Sequence, residues 1–440
     1  MKSRFVLPIA ATLGVLAVSP RAYALQPLAE FVRNAAERNF DNREARATAV
    51  QREHEASQAW ARLLPTLTLQ ADYIRNQYLG AADIPSGAPV NGVIPTRHVV
   101  MTPINQRDAS FQAVLSLIDV AAWNNVGTGM ANREAQKARA EATSLEVQKT
   151  VARTYYQLIG ATAVARAARH TLAASEDNAR YIETRTGAGL ASELDLKRAL
   201  AEVERNRQAV EDADYTAVTL RRSLETLSGL TPEGDPVNDA PALPLDDLRE
   251  EPPLPAWVGS VEQLPSVRAA AADEHAAKHT AASSQAALYP TVTGQFTERA
   301  TNAFGFGQSP YYTAELLATW KVDFSNFESS RAQRAAAEAA AVRHERARAT
   351  AADTLFNDWH SVRTQIAKSR AARTSLEASR LALAMARDKY GSGKATLLDV
   401  VQAERDAFTA EVTDIQAEAD LASARAALKL SAGQSMVPYD

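Results

Sequence analysis

The chain has 440 residues, a formal net charge of −4 and no cysteine. A slightly negative chain without a global basic field is not typical of a nucleic-acid-binding protein. The missing cysteines exclude disulfides, thiolate metal ligands and cysteine nucleophiles from this sequence, and they remove the residue that an N-terminal lipid anchor requires. We therefore expect an unlipidated protein with no nucleic acid among its partners.

Residues 1–24 have the three parts of a secretory signal peptide. Lys2 and Arg4 are basic, an apolar stretch follows them, and Ala22-Tyr23-Ala24 ends the segment with small residues suited to cleavage. We expect export. The rest of the sequence has no apolar run of the ~20 residues that a spanning helix needs, so we expect any membrane crossing to use strands.

Residues 25–229 read as a helix, two strands and a long helical hairpin. The segment from Leu28 to Leu63 is rich in Ala, Arg and Glu and lacks Gly, which predicts one helix. Alternating apolar and polar residues predict strands near 64–76 and 109–119. A long stretch without proline then predicts a helix that ends at a Gly-rich turn at 187–192. The returning helix has apolar residues seven apart, typical of an antiparallel coiled coil, at Leu196, Val203, Val210, Ala217 and Leu224.

Residues 258–433 repeat this order. Gly187 corresponds to Gly391 at an offset of 391 − 187 = 204. Strands are predicted near 289–298 and 311–323, and the second hairpin is predicted to turn at 391–396. A repeat of this length is a whole subdomain, so we expect a pseudo-twofold fold.

Two further segments complete the chain. A Pro-rich, acidic connector at 230–257 is expected to join the copies, and residues 434–440 are expected to form a C-terminal tail. The second heptad seam is interrupted by Asp414, and the sequence leaves open whether this side chain faces water or a neighbouring charge.

The four strands are amphipathic and about ten residues long, which is enough to span an outer membrane when tilted. Four strands cannot close a barrel, because the smallest transmembrane barrels use about eight. Since open edges are not tolerated in lipid, several copies must contribute strands. Three copies would give twelve.

The segment from Tyr390 to Arg405, YGSGKATLLDVVQAER, carries a family resemblance. It resembles the Y-x-x-G-x-x-x-x-x-D-V-L-x-A pattern of the outer-membrane efflux protein family typified by TolC. The first copy departs from the pattern, with Thr186 at the aromatic position and Leu196 at the valine position. The duplicated order of elements resembles this family over nearly the whole mature chain.

The resemblance implies a mainly α fold with a small β part: long antiparallel coiled-coil helices and four transmembrane β-strands per protomer, assembled as a homotrimeric duct. It implies a location in the outer membrane, with lipid contacts and a large periplasmic extension. The implied partners are a periplasmic adaptor (membrane fusion protein) and an inner-membrane pump of the RND, ABC or MFS type, in a tripartite efflux or type I secretion system.

In this family the hairpin turns are the adaptor-docking tips. The residues carried over are Gly187, Gly189, Leu190, Ser192, Asp195, Gly391, Gly393, Lys394, Thr396, Leu397 and Asp399. A purely local role stays open, because glycines reverse the chain and Ser, Thr and Asp cap helices.

Family ducts are closed at rest by polar contacts near the tips, which makes five residues candidate gate residues: Glu183, Arg185, Arg387, Asp388 and Tyr390. Ordinary surface charge on a coiled coil is the alternative for each one. The polar strand residues expected to face a water-filled lumen are Gln70, Asp72, Gln112, Gln295 and Glu315.

Other functions find little support in the sequence. His275 and His279 have metal-ligand spacing, but no third ligand is evident, so no metal and no cofactor are expected. No nucleotide-binding or catalytic motif indicates an enzyme. The alternative is a periplasmic coiled-coil adaptor or scaffold. The sequence does not identify the substrate. The small numbers of Met and His residues argue weakly against a duct specialised for soft metal ions.

Overall fold

The computed structural model describes residues 25–89, 92–233, 248–257, 259 and 261–436. The expected signal peptide, residues 234–247 of the connector and the end of the tail lie outside the described residues. The chain divides into two compact units. Unit 1 comprises Met1–Asn34, Val151–Glu250 and Arg363–Arg425, and unit 2 comprises Ala35–Thr150, Glu251–Val362 and Ala426–Asp440.

The helices account for most of the chain and follow the duplicated pattern. The first copy has α1 (Leu28–Arg38), α2 (Phe40–Ala61), α3 (Val120–Gly187) and α4 (Glu193–Ser228), and the second has α5 (Pro265–Ala286), α6 (Phe324–Gly391) and α7 (Leu397–Ser431). Helices α3 and α6 both have 68 residues, and both of their ends are separated by the offset of 204. Within the described ranges, no helix is both long and apolar enough to span a membrane.

The helix expected from Leu28 to Leu63 is interrupted, which corrects that prediction. Asn39 separates α1 from α2, and its side-chain oxygen accepts hydrogen bonds from the backbone N–H groups of Asp41 at 2.9 Å and Asn42 at 3.4 Å. Asparagine is a preferred N-cap because its side chain satisfies donors that the helix leaves unpaired. A cap within a helix-forming sequence therefore starts a new helix.

Unit 2 contains a four-stranded antiparallel sheet in the order β1-β4-β5-β6. Its strands are β1 (Thr66–Arg75), β4 (Asn105–Ile118), β5 (Thr291–Thr301) and β6 (Tyr311–Thr319). Within the described residues, strands β1 and β6 each have one edge that pairs with no other strand, and every residue of both strands is exposed. The central pairing joins the two repeats, because β4 belongs to the first copy and β5 to the second.

The loop between β1 and β4 is itself structured. It contains a two-stranded sheet of β2 (Gly80–Pro85) and β3 (Thr96–Thr102), which the sequence did not predict. Short strands interrupted by Gly and Pro give little periodic signal. The first copy therefore adds a β-hairpin at a place where the second has only a short connection.

The core of unit 1 is the coiled-coil seam that the heptads predict. The seam residues Val203, Val210, Ala217 and Leu224 of α4 are at most 9% exposed. On α7 the buried seam residues that belong to unit 1 are Val400, Ala407 and Leu421. The α3 and α7 backbones approach closely at Gly160, where an added Cβ would lie 3.0 Å from the Cβ of Ala419.

Candidate functional sites: hairpin tips and polar sheet face

The two hairpin turns have the same backbone geometry. Gly189 and Gly393 have φ values of +73° and +74°, in the left-handed region that favours glycine. In each turn the glycine N–H donates to the carbonyl three residues back, and the next N–H donates to the carbonyl five residues back, at 2.8–3.0 Å. These bonds satisfy the last carbonyls of α3 and α6.

The residues after each turn cap the returning helix. Ser192 Oγ accepts from the backbone N–H of Asp195 at 3.1 Å and donates to its carboxylate at 2.7 Å. The backbone N–H and hydroxyl of Thr396 both donate to Asp399 at 2.8 Å, and these bonds lower the pKa of Asp399. These four docking candidates therefore have a local role as helix caps.

The apolar docking candidates fall into two groups. Leu190 is 68% exposed, whereas Leu397 is only 3% exposed. Leu397 belongs to a buried cluster beneath the tips, so its expected role as a contact surface is corrected to one of support. Its neighbour Leu398, at 54% exposure, is the accessible residue. The buried cluster consists of Ala179, Ile182, Ala199, Val203, Leu397 and Val401.

This buried cluster joins the two hairpins, because its members come from α3, α4 and α7. Tyr390 at the end of α6 packs against it while partly buried, and burial raises the pKa of Tyr390. Arg185 lies 5.5 Å from the ring centre of Tyr181 and donates to its hydroxyl at 3.0 Å. Two gate candidates, Arg185 and Tyr390, are thus brought to one region below the tips.

The other gate candidates are placed differently. Arg387 pairs with Glu404 of α7 at 2.8 Å, inside the second hairpin. Glu183 and Asp388 are exposed side chains. The five candidates therefore do not form a single cluster within the described chain.

Sequence reasoning missed an ion pair between the hairpins. Glu202 of α4 has a side chain only 5% exposed, and its carboxylate accepts from Arg405 of α7 and from Arg205, one turn along α4. The repeat does not predict this ion pair. The residue equivalent to Glu202 is Asp406 and the residue equivalent to Arg405 is Ala201, so the pair is not repeated. The pair ties α4 to α7, and Glu202 directly precedes Val203 of the apolar cluster.

Sequence reasoning also missed a ladder of ion pairs along each hairpin, whose members we call rungs. In the first hairpin the rungs are Arg169–Asp214 at 2.7 Å and Glu176–Arg207 at 3.6 Å. In the second they are Arg373–Glu418 at 3.3 Å, Arg380–Glu411 at 3.0 Å and Arg387–Glu404 at 2.8 Å. Rungs are seven residues apart, as expected for flanking positions of a coiled coil. Two rungs are equivalent in the two repeats, whereas Arg387–Glu404 has no counterpart, because the equivalent residues are Glu183 and Leu200.

The sheet has one mainly polar face and one mainly apolar face, and the latter also carries Arg107 and Glu298. The register pairs Thr68 with Gln112, Val114 with Gln295, and Gln295 with Glu315, so all five lumen candidates share one face. Arg299 on that face pairs with Asp108 at 3.0 Å, which the sequence did not reveal. The opposite face exposes Leu67, Leu69, Tyr312 and Leu316, each at least 64% exposed.

No group of three or more His, Cys, Asp or Glu side chains in the described ranges is arranged to hold a metal ion. His279 instead lies against Gly127 of α3, where an added Cβ would come within 2.6 Å of its ring. The histidine therefore has a packing role in unit 2.

The described chain combines an exposed amphipathic sheet that has two unpaired edges with two long helical hairpins that have matching tips. This combination defines a class of outer-membrane channel protein. The chain belongs to the outer membrane efflux protein family, whose model matches residues 31–230 and 260–434. It is an efflux channel of tripartite systems, placed in the outer membrane with a helical extension into the periplasm. The periplasmic adaptor or scaffold alternative is not favoured, and the family consists of channel proteins rather than enzymes.

Solved structures show the same fold. The CmeC outer-membrane channel of Campylobacter jejuni matches with a TM-score of 0.77 at 15% identity, covering 98% of this chain and 94% of CmeC. The outer-membrane channel OprN matches at 0.76 and 21%, covering 93% and 91%. The open-state MtrE channel of Neisseria gonorrhoeae matches at 0.74 and 20%, covering 93% and 89%. A search of curated proteins gave no match.

Proposed function

We propose that three copies of this chain form one duct, in which β6 of each copy pairs with β1 of the next. The observation that carries this proposal is the sheet with two unpaired edges and two exposed faces of opposite character. Unpaired edges are not stable in lipid, and closure of the sheet removes them. Three four-stranded sheets give a twelve-stranded barrel, which is above the minimum of about eight.

In this barrel the apolar face contacts outer-membrane lipid and the polar face lines the lumen. Gln70, Asp72, Gln112, Gln295 and Glu315 then border water. Pairing of Asp108 with Arg299 on the same face keeps two further charges off the lipid side. A charged substitution on the lipid face, such as Leu69→Arg, is expected to impair membrane insertion, whereas Gln70→Arg is expected to be tolerated.

The duct is passive, and an inner-membrane pump delivers the substrate through a periplasmic adaptor that docks on the hairpin tips. Support comes from Gly187 and Gly391. Neither has a φ in the left-handed region, and a Cβ added to either would meet no atom within 4 Å. The described chain therefore does not itself require glycine there, whereas a docked hairpin that approaches the backbone closely would.

Native mass spectrometry of the mature chain in detergent tests the assembly. A trimer is the expected result, and a monomer or dimer as the main species would refute the proposed barrel. Docking is tested by measuring adaptor binding to a Gly187→Leu and Gly391→Leu double variant. We expect this variant to remain trimeric and to lose adaptor binding.

A matched control adds bulk at another exposed position on the same hairpin. Val218 on α4 is 62% exposed and lies away from the tip, so Val218→Leu should bind adaptor normally. Equal binding by the glycine variant and the control would refute tip docking while leaving the trimer proposal untouched.

A further inference from the structure

The seam of the second hairpin contains a half-buried carboxylate at a position where the first hairpin has an apolar side chain. Asp414 lies on α7 between the Arg380–Glu411 and Arg373–Glu418 rungs. The equivalent residue of the first hairpin is Val210, since 414 − 204 = 210, and Val210 is buried at 9% exposure.

The carboxylate of Asp414 points partly into this seam. Its Oδ1 atom is buried and has no hydrogen-bond partner within the described chain. The charged groups that face it are Arg373, Glu377 and Arg380 from α6 and Glu411 from α7. Because both arginines already hold glutamates in the rungs, neither makes a direct bond to this oxygen.

Two further core positions of the same hairpin show the same difference. Ser369 is fully buried, and its hydroxyl has no partner in the described chain, whereas its equivalent Ala165 is 1% exposed. Gln365 has a buried side-chain oxygen without a partner, and its equivalent is Ala161. Each unsatisfied polar atom in a core costs free energy. These polar atoms therefore make the seam of the second hairpin less favourable than an apolar seam would be.

We infer that Asp414 is a proton-binding site in the core of the α6–α7 hairpin, and that its ionisation loosens this hairpin while the α3–α4 hairpin stays unaffected. The buried, unpaired oxygen is the reason, because a neutral carboxyl is tolerated in an apolar seam far better than a carboxylate. This inference concerns one hairpin of one chain and depends on neither the trimer nor adaptor docking.

The electrostatic surroundings of Asp414 also favour its protonated form. Burial raises the pKa of Asp414 above its ordinary value of 3.8, with Glu411 and Glu377 adding to the effect, and Arg373 and Arg380 only partly oppose it. The folded hairpin therefore retains this proton to a higher pH than the unfolded chain does. Its contribution to stability is fully present below pH 3.8 and is lost as the pH rises through the folded-state pKa.

Hydrogen–deuterium exchange of the full mature chain in detergent provides the test. Peptides covering 407–421 report on the second hairpin, and peptides covering the equivalent residues 203–217 serve as an internal reference in the same sample. The intrinsic exchange rate changes equally with pH in both, so it cancels in the ratio of their protection factors. We expect the relative protection of 407–421 to fall as the pH rises from 3.5, below the ordinary pKa of an aspartate, to 7.5, by at most about tenfold per pH unit for one proton.

Three variants sharpen this test. Asp414→Asn should give a ratio that no longer depends on pH, and Asp414→Val should do the same with higher protection throughout. Val210→Asp should transfer the pH response to the first hairpin, where Glu176 and Arg207 form the rung equivalent to Arg380–Glu411 with the two charges exchanged.

The inference is overturned by a wild-type ratio that is constant with pH, or by an Asp414→Asn variant that keeps the wild-type slope. If Val210→Asp prevents folding, the asparagine variant still decides, because it differs from aspartate by one polar atom. Trimer formation and adaptor binding are measured separately, so their failure is distinguishable from a failure here.

Discussion

Removal of Arg405 is expected to loosen the connection between the two hairpins by a measurable amount. The Glu202 side chain is 5% exposed, while those of Arg405 and Arg205 are 41% and 53% exposed. Loss of one partner from a fully buried pair costs about 3–5 kcal/mol, and exposed pairs contribute about 0–1 kcal/mol. Since Arg205 still donates to the carboxylate, we expect Arg405→Met to cost about 2 kcal/mol.

A local loss of about 2 kcal/mol corresponds to roughly 30-fold faster exchange of amides that open with this contact. Hydrogen–deuterium exchange of residues 199–206 in α4 measures it directly. Glu202→Gln combined with Arg405→Met should recover most of the protection, because no buried charge is then left unpaired. Arg205→Met should have a smaller effect, since its side chain is the more exposed.

Two results would refute this reasoning. One is a change of less than about threefold for Arg405→Met, which would place the pair among ordinary surface ion pairs. The other is an equal effect of Arg205→Met, which would mean that the contact between hairpins is not the important one.

Two other predictions concern packing and ionisation in unit 1. Gly160→Ala should destabilise the chain by about 1–3 kcal/mol, because the added methyl lies 3.0 Å from Ala419, and a lowered melting temperature in detergent would show it. Burial raises the pKa of Tyr155 to about 12, and its hydroxyl donates to the carbonyl of Gln26 at 3.2 Å. The resulting stability should be present below pH 10 and lost as the pH rises towards 12, and Tyr155→Phe should remove the last step of a tyrosinate absorbance titration.

The elements that sequence predicted best are those with a strong period. Strict alternation in β1, from Leu67 to Tyr73, is specific for a strand with two different faces. Heptads such as Val203, Val210 and Ala217 likewise predict the coiled-coil seam. The strand bounds were less well predicted, since β4 begins at Asn105 rather than near 109, and β6 ends at Thr319 rather than near 323.

Features without a period were missed for identifiable reasons. The break at Asn39 has no Gly or Pro, and its only signal is one residue type that prefers N-caps. The β2–β3 hairpin lies in a segment with several prolines and glycines, where short strands are hard to distinguish from loop. Both features are decided by local hydrogen bonds rather than by burial of a repeated face.

The ion-pair ladder is a different case, because it was accessible from the sequence. Once the first hairpin is known to turn at 187–192, antiparallel pairing fixes which residues face each other. Arg169 with Asp214 and Glu176 with Arg207 then follow, since 169 + 214 and 176 + 207 both equal 383. The Glu202–Arg405 pair cannot be obtained in this way, because it depends on how two separate hairpins pack together.

The two hairpins have kept the same helix length and turn geometry but differ in the polarity of their seams. Both long helices have kept 68 residues, and both turns have kept the same glycine geometry. One helical turn of difference would displace one tip by about 5.4 Å along its axis, and a single partner that contacts both tips would then reach only one. Core polarity is under no such restriction, since a polar residue in one seam changes the stability of that hairpin without changing its length. If the two hairpins share a docking role, we expect equal helix lengths. If they also differ in how readily they open, we expect their seams to diverge, as they do at Asp414 and Ser369.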